Sequence, residues 1–97
     1  MSQSRIERRL VDVNKRLQRA REELVVLDEQ LAALADSADE MRIRALVSDS
    51  MMAEREYREA ERAAEAMRRS RDAAKALIAE LERTQDELLD KLVTNLS

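Results

Sequence analysis

The chain has 97 residues, 40% charged and 44% apolar, with a formal net charge of −3 and a single aromatic residue, Tyr57. It contains no Gly, Pro, Cys, His, Trp or Phe. Without Cys or His, a structural zinc site, a disulfide framework, a thiol nucleophile and an imidazole base are excluded; without Gly, so are the phosphate-cradling and dinucleotide-binding turns.

What remains is helix-forming: Ala, Leu, Glu, Arg and Met dominate. At the N-terminal end, Ser2 or Ser4 can accept an orphan backbone N–H and so cap a first helix. Apolar residues then fall at Ile6, Leu10, Val13, Leu17, Ala20, Leu24, Leu27, Leu31, Leu34, Ala38 and Met41. The alternating steps of four and three residues keep one seam facing a partner helix. Taking Leu10 as position a of a heptad makes Ile6 and Val13 position d. Ser37-Ala38-Asp39-Glu40 has the form of a capping box, which usually starts a helix. Two readings of the first arm follow. It runs unbroken to about residue 47, or it ends near Ala35 and a short helix covers 38–47.

Ser48-Asp49-Ser50 is the strongest turn and N-cap signal in the chain. After it the device repeats, with Ala53, Tyr57, Ala60, Ala64, Met67, Arg71, Ala74, Ile78, Leu81, Gln85, Leu88 and Leu92. A fold-back centred on Asp49 pairs Ile6 with Leu92, Leu10 with Leu88, Val13 with Gln85, Leu17 with Leu81 and Ala20 with Ile78. It continues through Leu27 with Arg71 and Leu34 with Ala64 to Met41 with Tyr57. Each a position then meets a d position, as antiparallel pairing requires. The expected fold is all-α. It is a long antiparallel coiled-coil helical hairpin over residues 1–97, with arms at about 4–47 and 51–95 and a turn at 48–50.

Flanking charges fit this register in part. Arg42 falls near Glu54, Arg44 near Glu56 and Asp28 near Arg68, whereas Arg21 approaches Lys75. Residues 5–21 hold seven bases against two acids, and residues 77–93 hold five acids against two bases. The basic stretch therefore reads as an intramolecular complement to the acidic one, and no nucleic-acid partner is expected. Arg71 and Gln85 sit on the seam. The Arg stem is expected to pack with its guanidinium reaching outward, and Gln85 to fix register. Tyr57 reads as a packed layer residue.

Twelve large apolar residues lie off the seam. Of these, Val25, Val26, Leu77, Leu89, Val93 and Leu96 form the candidate dimer interface, because a face wider than one stripe usually packs against more than one helix. The economical outcome is a homodimer whose hairpins form a four-helix bundle. Ile43, Leu46, Val47, Met51 and Met52 cluster at the turn beside Asp49. These tip residues either close the hairpin end or dock an unidentified protein partner.

The segment Asp49-Ser50-Met51-Met52-Ala53-Glu54-Arg55-Glu56-Tyr57 resembles the acidic tip, followed by a Tyr, of the coiled-coil hairpin in bacterial Gre transcript-cleavage factors. That family's tip Gly and Asn are absent here, and the Asp-to-Tyr spacing differs. The resemblance implies an alternative function: a transcription regulator that binds RNA polymerase through the hairpin tip.

No enzymatic activity is expected, and no catalytic residue, cofactor or metal site is assigned. A catalytic acid needs a concavity that perturbs it, and a thin coiled coil offers none. The longest apolar run, Leu31–Ala35, is too short to cross a bilayer. No secretory leader precedes the first charges, so a cytoplasmic protein with no membrane partner is expected. Fifteen Arg against three Lys fit a GC-rich bacterial genome. The leading expectation is a structural or adaptor protein that mediates protein–protein interaction.

Overall fold

The computed structural model describes residues 2–96. Two α-helices account for nearly all of them: α1, Gln3–Ser48, and α2, Met51–Leu96. There is no strand among the described residues. The molecule is an all-α helical hairpin, its helices joined by Asp49 and Ser50 alone.

The start of α1 is capped by Ser2, whose Oγ accepts from the Arg5 backbone N–H at 3.3 Å, while its carbonyl accepts from Ile6 N–H at 3.1 Å. Ser4 lies inside the helix. The capping-box motif at Ser37–Glu40 does not break α1, which corrects the reading of a separate short helix over 38–47. A capping box rewards a helix start only where the preceding residue has left helical geometry. Here Leu31–Ala35 are good helix formers, and the seam continues through Leu34, Ala38 and Met41, so an uninterrupted helix keeps those residues facing inward.

The turn is built from three polar residues with separate tasks. Ser48 Oγ donates to the Arg44 carbonyl at 2.6 Å, one turn back along α1, as a Ser at a helix end commonly does. Asp49 turns the chain with φ of 47°, the left-handed region that side chains bearing a Cβ usually avoid. Ser50 then caps α2: its Oγ accepts from Ala53 N–H at 3.4 Å and its carbonyl from Glu54 N–H at 3.1 Å. Asp tolerates the left-handed conformation better than most residues other than Gly. Asp49→Asn is therefore expected to be nearly neutral, whereas Asp49→Val should cost about 1–2 kcal/mol. Urea denaturation followed by circular dichroism tests both; equal midpoints for the two variants would refute a backbone role.

The chain packs as two compact units, and each helix contributes to both. One unit takes the residues up to Leu24 and those from Ala74 onward; the other is Val25–Ala73. In the first, Ile6, Val13, Leu17, Ala20, Leu81 and Leu88 are buried as one cluster, with Leu10, Ile78 and Leu92 packed against it. Every one of these is a seam position in the fold-back register. Two contacts between the helices fix that register here. Gln85 Nε2 donates to Asn14 Oδ1 at 2.6 Å, and Arg21 pairs with Glu82 at 3.9 Å.

In the second unit Leu31, Ala38 and Ala64 are buried, while Leu27, Leu34, Met41, Tyr57, Ala60, Met67 and Arg71 are half-buried. The small side chains at 38, 60 and 64 give this seam less apolar volume than the first.

The surface charges depart from the expected cross-helix pairs. Glu54 pairs with Arg58 at 3.3 Å, and Arg68 with Glu65 at 3.1 Å and Glu61 at 3.8 Å, all along α2. Arg42–Glu54, Arg44–Glu56 and Asp28–Arg68 do not form among the described residues, and Arg21 turns to Glu82 instead of approaching Lys75. For Glu54 and Arg68 the cause is local competition. A partner three or four residues along the same helix is always within reach, and exposed pairs gain too little to favour a more distant one.

Candidate protein-interaction surfaces

The seam residues withdraw into the hairpin, and the twelve large apolar residues off the seam remain exposed: Val11, Val25, Val26, Ile43, Leu46, Val47, Met51, Met52, Leu77, Leu89, Val93 and Leu96. A helix with one partner can bury only the stripe facing it, so a second apolar stripe stays in solvent.

At the turn, Ile43, Leu46 and Val47 occupy the last turns of α1 and Met51 and Met52 the first turn of α2. Met51 is 86% exposed and Val47 79% exposed. These side chains flank Asp49 and do not fold over the hairpin end. Of the two readings of the tip, the one in which Leu46 and Val47 cover the methionines is not what the side chains do. Tyr57, one turn further along α2, is half-buried on the seam. The shallow depression beside it is lined by Arg58, Glu61, Arg62 and Glu65, all from α2.

The six candidate dimer residues do not share one face. Val25 and Val26 belong to the second unit, and both are exposed. Within the first unit, the Arg21–Glu82 pair and Asn14 mark the side formed by heptad positions e and b. Leu89, Val93 and Leu96 occupy e and b positions, as does Val11 on α1, so all four lie on that side. Leu77 is a g residue on the other side. There it edges a groove of about 180 Å³ lined by Arg9, Asp12, Arg16, Glu80 and Thr84. Separating e/b from g/c positions in the sequence would have divided Leu77 from Leu89; counting apolar residues alone did not.

Arg71 behaves differently from Gln85. Its guanidinium does reach outward, with Nη2 3.3 Å from Asp72 Oδ1. Its Nε, however, is buried with no hydrogen-bond partner. Among the described residues no group of three or more acidic, His or Cys side chains is placed to hold a metal ion. Neither described helix is long and apolar enough to cross a membrane.

The chain matches no family model, no curated protein and no solved structure.

Proposed function

We propose that this chain is a non-enzymatic structural or adaptor coiled coil, cytoplasmic and of bacterial origin, that mediates protein–protein interaction and acts as a homodimer. The observation that carries this reading is the contrast between its two apolar sets. The seam set is withdrawn from solvent, while the twelve off-seam residues are 40–86% exposed. Apolar surface on this scale on a two-helix hairpin favours a partner, because covering it removes apolar area from water.

A second reading is favoured by the exposure of Met51 and Val47 beside Asp49. In it, the tip inserts into a cleft of RNA polymerase and the chain regulates transcription. The two readings place the contact differently, on the shaft or on the turn.

Affinity capture from a GC-rich bacterial lysate separates them, comparing the wild type with Asp49→Asn/Met52→Ser. Asn at position 49 preserves the left-handed backbone while removing the charge, so a lost partner reports on contact and not on folding. Loss of RNA polymerase from the variant supports the tip reading. A partner held equally by both proteins supports the shaft. Capture of nothing, together with a light-scattering mass equal to the 11.2 kDa chain, would overturn the adaptor reading.

A further inference from the structure

We infer that the turn end of the hairpin is an opening element: in a minor state α1 parts at Ser37 and residues 38–48 leave α2, while the seam of the first unit stays closed. The major state keeps α1 whole. Three layers of the register hold the turn end together: Ala38 with Ala60, Met41 with Tyr57 and Ala45 with Ala53. Ala38 is buried and the other five side chains are half-buried. Four of the six are alanines, so separating these layers returns little apolar area to water.

The same stretch of α1 carries larger apolar side chains away from the seam. Ile43, Leu46 and Val47 are each more than half exposed. The seam therefore takes the smaller of two apolar stripes, and closing it gains less than the composition of the segment allows. Polar contacts do not make up the difference. Among the described residues no side-chain hydrogen bond or ion pair joins 38–48 to 51–60; Gln85–Asn14 and Arg21–Glu82 both lie in the first unit. Near the turn the bonds stay on one helix. Arg44 Nη1 donates to Met41 Sδ at 4.0 Å, Ser48 to the Arg44 carbonyl, and Arg58 to Glu54. These survive separation of the helices and so do not oppose it.

Ser37 fixes where α1 parts. In the intact helix the Ser37-Ala38-Asp39-Glu40 box has no task, because backbone N–H groups there bond to carbonyls one turn back. Once the helix parts, the N–H groups of Ala38, Asp39 and Glu40 lose those acceptors. The Ser37 hydroxyl then accepts from the Glu40 N–H, and the Glu40 carboxylate from the Ser37 N–H. The box thus favours the parted state alone. It also lies at the edge of the weak layers, since Leu31 is buried and the register pairs Leu34 with the buried Ala64. Opposing the change is the longer loop over which the first unit must stay closed, and that cost grows only with the logarithm of loop length.

Hydrogen exchange of the full chain, followed residue by residue by NMR at one protein concentration, tests this opening. Corrected for intrinsic rates, the amides of 38–48 should exchange about tenfold or more faster than those of 13–20. Ser37→Ala removes the cap of the parted state and should slow exchange at 38–48 about fivefold, leaving 13–20 unchanged. Alanine also favours the intact helix, so a second pair of variants isolates the box. Glu, Gln and Lys have nearly equal helix propensity, but only Glu and Gln complete a capping box. Glu40→Lys should therefore slow exchange at 38–48, and Glu40→Gln should leave it as in the wild type. Exchange at 38–48 as slow as at 13–20 would overturn the opening element. So would equal exchange in Glu40→Lys and Glu40→Gln, because the box would then have no part in it.

Discussion

Leu17→Asp is expected to abolish most of the helical signal at 25 °C, and Leu17→Ala to lower stability by about 2–3 kcal/mol, the low end of the range for buried leucines. Leu17 is 1% exposed and sits in the middle of a continuous buried cluster, between Val13 and Ala20 on its own helix, in the register that pairs it with Leu81. A carboxylate there has no compensating base inside the seam and would have to be desolvated or drag the helices apart. The hairpin has little stability to spare, because each of its layers is only two side chains thick.

Position 27 gives the control. Leu27 occupies the same kind of seam position but is only half-buried, and Leu27→Ala should cost about 1 kcal/mol. Urea denaturation of both alanine variants at one fixed protein concentration makes the comparison, since self-association would otherwise shift the midpoints. Equal losses at 17 and 27 would contradict the uneven core described above.

The seam was legible from the sequence because a 3.5-residue repeat constrains many positions at once. Every residue assigned to it, from Ile6 to Leu92, is buried or half-buried. The depth of burial was not legible. Leu17 and Leu27 carry the same letter in the pattern, yet the register pairs Leu17 with the buried Leu81 and Leu27 with the half-buried Arg71. Charge pairing was the least readable feature. Arg68 had an acid across the hairpin in Asp28 and acids on its own helix in Glu61 and Glu65, and sequence spacing does not rank them. Local geometry does, and the nearer acids prevailed. At the turn, Ser-Asp-Ser announced a reversal, but the left-handed φ at Asp49 became visible only in the backbone. It matters for design, because Asp49→Ala would confound a contact with a strained turn. The break expected as an alternative at Ser37 failed for a related reason: a cap motif is a local preference, and a seam running through it on both sides outweighs it.

The two polar residues on the seam should respond in different ways to apolar replacement. Arg71→Met is expected to raise stability by about 1–2 kcal/mol, because it removes a buried donor left unsatisfied at Nε while keeping an unbranched stem along the same path. The loss to set against this is the exposed pair with Asp72, worth about 0–1 kcal/mol. Gln85→Leu should instead be within about 0.5 kcal/mol of neutral, since the apolar gain is offset by a satisfied hydrogen bond to Asn14. Its cost falls on register. The Gln85–Asn14 bond is lost if the helices slip by one turn, and an all-apolar seam has no such reference point. Arg21→Cys/Glu82→Cys places thiols at two exposed positions whose longer native side chains meet at 3.9 Å across the hairpin, so intrachain joining by a short bis-thiol cross-linker reads the register without disturbing the core. In that background Gln85→Leu should lower the yield and Arg71→Met should not. If Arg71→Met destabilises the chain instead, Nε is satisfied in solution and the arginine holds the seam together.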